Sequence, residues 1–329
     1  MALSQPGRSR GRRALRQQTA DGMSIEVLGE VTAAQAEAVL RLAAAAAAAD
    51  GTGPLSEQVR LHLRYGGDAA ARNLLLYASG HLAGYAHLDP PGPEGRSGEL
   101  VIHPAGRGRG LGLALARALL AQRDGAQVCV WAHGDLPAAR RLAAAAAFSR
   151  ARALWQMRRP LRDPLPPAVP PAGVSFRTFR PGADEDAWLR VNARAFASHP
   201  EQGQWVSADL DRREQEPWFD PAGFFLAERD GRLAGFHWTK VHAPQPESAA
   251  AAPGQPGPVG EVYVVGVDPA AQGGGLGRAL TLAGLHYLRE RGLPEVMLYV
   301  DEANTAAIRL YASLGFAHSG TDVMFCHPG

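Results

Sequence analysis

Two tandem copies of one α/β domain, each built on a mixed sheet, are what this sequence predicts, and three observations carry the prediction. The chain of 329 residues is long enough for about two domains of roughly 150 residues each. Its halves repeat. At an offset of 165, Val267-Asp268-Pro269 falls on Ile102-His103-Pro104, Gly273-Gly274-Gly275-Leu276-Gly277 falls on Gly108-Arg109-Gly110-Leu111-Gly112, and Ala279-Leu280 falls on Ala114-Leu115. Between the halves, residues 160–171 hold six prolines, which exclude helix and central strand and favour stiff extended chain.

Taken in order, residues 1–22 carry five arginines and no acid before Asp21. Without an apolar run they read as a disordered basic tail, not a secretory signal, with Met23 as an alternative start. The first domain is then 23–159, the linker 160–172 and the second domain 173–329. Each half opens with a hairpin: residues 73–79 with 82–88 about Ser79-Gly80, and 224–228 with 232–238 about Asp230-Gly231. An apolar strand, X-Pro and a glycine-rich loop follow, then a helix (114–122 and 279–289) and a second strand (128–132 and 296–300). From Asn304 the apolar residues recur at three and four, which predicts a helix through Tyr311, stopped at Gly315 before a returning strand from Phe316.

Composition excludes several classes of function. Hydrophobic residues at 46% and charged residues at 20% suit a globular chain, and the bland run 43–49 is too short to cross a bilayer. A net charge of +2 does not supply the basic face that would neutralise many phosphates. Nucleic-acid and membrane partners are therefore not expected, and a monomer is. Cys129 and Cys326 lack CxxC spacing and make no disulfide framework, so a reducing cytosol is expected. Only Lys240 among the 34 basic residues is lysine, consistent with GC-rich coding, which also accounts for the alanine runs.

Gly273, Gly275 and Gly277 lie between a strand and a helix start, where unpaired N–H groups and the helix dipole converge on an anion. A glycine cluster there is also often a plain turn. A P-loop needs Gly-Lys-Ser/Thr, which is absent. Asp301 ends the next strand where a dinucleotide fold would place its ribose-binding acid. Against that reading, five residues separate the strand from the first glycine, and 28 residues after Asp301 are too few to finish a doubly wound sheet.

Gln272-Gly273-Gly274-Gly275-Leu276-Gly277 resembles the Q/R-x-x-G-x-G/A acetyl-CoA loop of the GCN5-related N-acetyltransferases, and Arg107-Gly108-Arg109-Gly110-Leu111-Gly112 resembles it in the first half. The resemblance implies two tandem domains of that fold, an acetyl-CoA co-substrate and no metal. It also implies a strand before the loop that splays from its neighbour and offers backbone to the pantetheine arm. Cofactor contacts carry over to Val265, Gly266 and Val267, then to the loop residues Gln272 to Gly277 (Gly273, Gly274, Gly275 and Leu276 between them) and to Arg278. Further contacts carry over to Asn304, Thr305, Ala306, Ala307, Ile308 and Arg309. The first-half counterparts are Leu100, Val101 and Ile102, with Gly108, Arg109, Gly110, Leu111, Gly112 and Leu113 at its loop.

Acetyl transfer to an amine needs a base for the ammonium and an acid for the leaving thiolate. By the resemblance Glu261 is the base and Tyr311 the acid, although a lone strand Glu is ordinarily solvated and a lone helical Tyr ordinarily packs. The offset sets Arg96 opposite Glu261, and aligning Phe148 with Phe316 sets Ala143 opposite Tyr311. Chemistry is therefore expected in the second domain alone.

The segments His199-Pro200-Glu201-Gln202-Gly203, Trp218-Phe219-Asp220-Pro221, Gly235 to His242, Gly260 to Pro269 and Trp131-Ala132-His133-Gly134 resemble the mycothiol synthase branch of that family. So does Gln156-Met157-Arg158-Arg159-Pro160-Leu161-Arg162. That implies acetylation, in the cytoplasm, of the cysteinyl amine of a cysteine–glucosamine–inositol conjugate. Substrate contacts carry over to Glu57, Glu201, Lys240, Glu261 and Tyr299, carboxylates to accept from hydroxyls and ammonium, lysine and tyrosine to donate. The sequence departs from the branch in its tail, in an Ala/Pro-rich insertion at 243–258 and in Ala105-Gly106. An N-acetyltransferase for another amine or a peptide N-terminus, and a non-catalytic CoA sensor, are the competing readings.

Overall fold

A computed structural model describes residues 15–18, 22–92, 95–197, 202–242 and 257–329. The chain divides into two units, one of Met1–Ala151 with Met324–Gly329 and the other of Arg152–Val323.

In the first unit, β1 (Leu15–Gln18) pairs antiparallel with β2 (Met23–Leu28). Part of the expected disordered tail is therefore a strand, because its backbone extends the edge that β2 would otherwise leave unpaired. The helices α1 (Ala33–Asp50) and α2 (Glu57–Tyr65) follow. Thr32 and Gln35 form a reciprocal cap on α1, and Ser56 Oγ accepts from Val59 N at 3.3 Å to start α2. The alanine run lies inside α1, with Ala43 and Ala46 buried. β3 (Arg72–Ala78) and β4 (His81–Leu88) make the expected hairpin, Ser79 and Gly80 both left-handed at φ 50° and 78°. Next come β5 (Arg96–Ile102), α3 (Leu111–Leu120), β6 (Val128–Ala132) and α4 (Pro137–Ala145). Strand order is β1-β2-β3-β4-β5-β6, parallel only between β5 and β6. Strand alternation sends Leu75 to a core beneath α1 and α2 and its neighbours Leu74 and Leu76 to a core beneath α3.

The second unit repeats this plan with β7 (Ser149–Pro160), β8 (Val174–Thr178), α5 (Glu185–Ala195), α6 (Ser207–Glu214), β9 (Phe224–Arg229) and β10 (Arg232–His242). It continues with β11 (Val259–Val267), α7 (Leu276–Glu290), β12 (Glu295–Asp301), α8 (Thr305–Ser313) and the part of β13 (Ala317–His327) up to Val323. Its order is β7-β12-β11-β10-β9-β8, again with one parallel pair, β11/β12. Both glycine-loop helices begin three residues earlier than the apolar periodicity alone indicates, because Gly110 and Gly275, left-handed at φ 79° and 82°, turn the chain directly into them.

The boundary lies ahead of the proline-rich segment. Leu154–Pro160 pair with β12 and complete the second sheet. Leu165 and Ala168 pack against that unit's core, and the Pro166 carbonyl accepts from His286 Nε2 at 2.8 Å. The reading of the cysteines is overturned as well: Cys129 and Cys326 are disulfide-bonded. Their separation of 197 residues hid the pairing, which arises because residues 324–329 return to the first unit.

Helix α7 crosses β10 closely over the buried His237, whose Nδ1 donates to Leu280 O at 2.8 Å. Burial pushes that imidazole down to about 4, so it stays neutral. A Cβ at Gly284 would collide with the His237 ring and with Thr239 Cγ2. Gly284→Ala should cost about 3 kcal/mol from overpacking, seen as a lower urea midpoint; an unchanged midpoint would show that the helix shifts freely.

Among the described residues no helix is long and apolar enough to cross a membrane.

Candidate active site

Pairing between β11 and β12 stops early. Val259↔Glu295 through Val262↔Leu298 are in register, and beyond them β12 continues along β7 while the β11/β12 ladder does not extend to Val264–Val267. The cause is visible on the other flank. Trp238 pairs with Val264 but Thr239 pairs with Val262, so Tyr263 is an extra residue in the ladder, and such a bulge bends its strand. Val265, Gly266 and Val267 consequently keep free backbone groups along one edge. β5 and β6 also stop pairing, after Glu99↔Trp131, here with no bulge between β4 and β5, leaving Leu100, Val101 and Ile102.

At the open end of each splay stands a helix start with no side-chain cap and no acid in its first turn, which leaves orphan N–H groups for an anion. Gly273, Gly274 and Gly275 are left-handed at φ 95°, 61° and 82°, and a Cβ on any of them would meet open space. The loop thus exposes backbone that a phosphate can approach. Gln272 lies exposed. Leu276 is buried in the core and Arg278 donates from Nη1 to Ser313 Oγ at 2.8 Å, so neither side chain faces the loop's open side. Asn304 caps α8 by accepting from Ala307 N at 3.1 Å. Ala307 and Ile308 pack against the core, while Thr305, Ala306 and Arg309 are exposed. Asp301, the acid of the dinucleotide reading, accepts from Arg152 Nε at 2.5 Å and from Ala303 N at 2.8 Å.

In the first unit a cavity of about 410 Å³ is lined by Leu100, Val101, Ile102, Gly108, Gly110, Gly112 and Leu113, with Trp131, His133 and Ala143. Arg109 and Leu111 are not in its wall. Leu111 packs against the core beneath α3 and Arg109 is exposed, so only their backbone N–H groups can serve. Arg107 is held by Asp50 in a two-toothed pair at 2.6 and 2.8 Å.

Glu261 sits on β11, its side chain 8% exposed, directly opposite Lys240 on β10. The Lys240 ammonium, almost wholly buried, lies 4.3 Å from the Trp218 ring centre and 4.9 Å from that of Tyr263, so aromatic faces compensate its desolvation. Tyr299 on β12 accepts from Gln156 Nε2 at 3.0 Å; its phenol is pushed up to about 12 by desolvation and by the charges of Glu261 and Asp322. The structure therefore brings Glu261, Lys240 and Tyr299 to one sheet region of the second unit. Tyr311, on α8, is half-buried edge-on to Phe316, and burial pushes its hydroxyl up to about 12. It is a proton donor throughout the working range. Glu57 is the first residue of α2 in the first unit, and Glu201 lies outside the described residues.

Sequence reasoning missed His242, whose Nε2 is 2.6 Å from Glu261 Oε2. Strand alternation through Trp238, Lys240 and His242 was the available signal. In the first unit Arg96 is spent on the fold, donating to Asp89 O at 2.9 Å, Gln122 O at 2.8 Å and Ala70 O at 3.1 Å. Glu99, unremarked in the sequence, is buried there. It accepts from Ser56 N at 2.8 Å with His133 Nε2 at 3.6 Å, and these outweigh its desolvation and hold it below the usual carboxylate range. Nearby, His62, His87 and Asp89 bring their ligating atoms within 4.8 Å of one another, but His87 is already bonded to Asn73 and Asp89.

Residues 42–148 and 188–316 each match the model of the acetyltransferase (GNAT) family. A mycothiol acetyltransferase of Thermobispora bispora is 63% identical over 92% of this chain and 99% of its own length. Another, of Acidothermus cellulolyticus, is 59% identical over 93% and 95%. Among solved structures, a GCN5-related N-acetyltransferase of Sphaerobacter thermophilus is 27% identical with a TM-score of 0.65, covering 92% of this chain and 95% of that one. A tandem GNAT protein of the clavulanic acid pathway is 23% identical with a TM-score of 0.66 over 92% and 98%.

Proposed function

Since the chain belongs to the acetyltransferase (GNAT) family, and within it to the mycothiol acetyltransferases, we propose that its second unit transfers acetyl from acetyl-CoA to the cysteinyl amine of the cysteine–glucosamine–inositol conjugate, giving mycothiol and CoA. The observation that carries this is the splayed β11, opening onto an uncapped helix start at one end and bearing Glu261 opposite Lys240 at the other. Free backbone along β11 pairs with the amide-bearing pantetheine arm, and the start of α7 receives the pyrophosphate. Glu261 takes the proton from the ammonium. The free amine attacks the acetyl carbonyl, a C–N bond forms as C–S breaks, and Tyr311 gives its proton to the thiolate. Lys240, Tyr299 and Glu201 bind the hydroxyls of the acceptor. The first unit holds acetyl-CoA without turning it over, its loop and cavity kept but with neither Arg96 nor its neighbour Ser97, which the bulge at Tyr263 sets at the position of Glu261, able to serve as base, and with Ala143 in place of the acid. The enzyme works as a monomer in the cytoplasm, with the Cys129–Cys326 disulfide an exception to the reduced state usual for thiols there.

Thiol release from acetyl-CoA tests the reading. The cysteinyl conjugate should be turned over at least about a hundredfold more efficiently than an aminoglycoside or a peptide N-terminus, because a site built to hydrogen-bond hydroxyls rejects acceptors that leave its polar groups unpaired. Equal rates on all three would replace this acceptor, and no release with any would favour a sensor. Tyr311→Phe should lower turnover about tenfold to a hundredfold, less than loss of the base, since water can protonate a thiolate. An unchanged rate from pH 6 to 9 would remove Tyr311 from the reaction.

A further inference from the structure

His242 touches the carboxylate on which the proposed chemistry depends. Its Nε2 lies 2.6 Å from Glu261 Oε2, with the imidazole 35% exposed and the carboxylate 8%. Register explains the contact. Lys240 stands directly opposite Glu261 and His242 opposite Val259, so two same-face residues of β10 flank one carboxylate. The other charged or titratable groups on this side are Lys240, seated over Trp218 and Tyr263, and Tyr299 on β12, which feels Glu261, Asp322 and Arg158. Of the side-chain types gathered here, the imidazole is the one that exchanges a proton most readily near neutrality.

We propose that His242 is a positioning residue that sets the pH range over which Glu261 works as a base. When neutral, its Nε2–H donates to Oε2 and leaves Oε1 turned to the ammonium. When protonated, the imidazolium forms an ion pair with the carboxylate and lowers its affinity for the incoming proton. Its exposed face opens this control to solvent pH. The proposal rests on the reading of Glu261 as the base.

The test compares kcat/KM from pH 5.5 to 9 for the wild type, His242→Gln and Glu261→Gln, with acetyl-CoA and the cysteinyl conjugate. Ionisation of the substrate amine is common to all three and cancels in the comparison. The ratio of rates at pH 8 and pH 6 should fall severalfold in His242→Gln, whose amide still donates but carries no exchangeable charge. A profile of unchanged shape, whatever its height, overturns the proposal. A second measurement does not depend on turnover: the imidazole resonances of His242, titrated by NMR, should move to a lower midpoint by about one pH unit in Glu261→Gln, and an unmoved midpoint also overturns it. Failure of the base reading is distinguishable, because Glu261→Gln would then keep full turnover, whereas failure of this proposal alone leaves Glu261→Gln impaired and the His242→Gln profile unmoved.

Discussion

Gly277→Asp should abolish turnover in a protein that still folds, whereas the matching Gly112→Asp should leave substantial activity. Gly277 lies in the first turn of α7, and a Cβ there would make only an ordinary contact with Val267 Cγ2 at 3.7 Å. The substitution is thus sterically mild and electrostatically severe, since it sets a carboxylate where the helix start would receive the pyrophosphate. At Gly112 a Cβ would press on Leu142 Cδ2 at 3.3 Å, the end of a flexible side chain that can move. That variant should lose whatever acetyl-CoA the first unit binds, but Arg96 and Ala143 offer no proton transfer there. Steady-state turnover, calorimetric CoA stoichiometry and circular dichroism on both variants decide it. If Gly112→Asp is folded and dead while Gly277→Asp is active, the catalytic unit has been assigned the wrong way round.

Glu261→Gln should lower kcat by about 10²- to 10⁴-fold, the usual worth of a general base, with little change in acetyl-CoA affinity. The amide preserves the shape of a side chain that is almost wholly buried beside Lys240 and His242. Packing is therefore retained while the acceptor of the proton is lost. A variant with wild-type kcat at pH 7 would exclude Glu261 as the base.

Much of this fold can be read from the residues. The Ser79-Gly80 and Asp230-Gly231 turns sit where φ is positive at both centres, and only a few residue types make that cheap. Asn304 and the loop glycines mark helix starts for equally local reasons. What stayed hidden depends on long-range pairing. The bulge at Tyr263 adds one residue to a ladder and leaves no compositional trace, so an offset of 165 matches loops correctly while sliding the strands before them. Corrected by one residue, Ser97 and not Arg96 stands where Glu261 does. Glu99 became notable only when Ser56 and His133 were brought to it from elements distant in sequence. His242 was within reach of strand alternation, but its partner was not, because pairing Lys240 with Glu261 requires the register of two strands joined by the 243–258 insertion. The prolines signalled extended chain correctly; that this chain packs on the second unit follows from Leu165 and Ala168 meeting a core assembled elsewhere.

The return of residues 324–329 to the first unit imposes an order on biosynthesis. A nascent chain exposes residues 1–151 early, yet the last pieces of that unit, Cys326 among them, are translated only after the whole of 152–323. At about 5–20 residues per second the delay is roughly 10–30 s. Through that interval β6 carries Cys129 as a free thiol, and the second unit can assemble from a contiguous stretch of chain before the first is complete. The half of the protein proposed to do the chemistry is therefore the half able to mature first on the ribosome. The half made first must wait for the synthesis of residues 324–329.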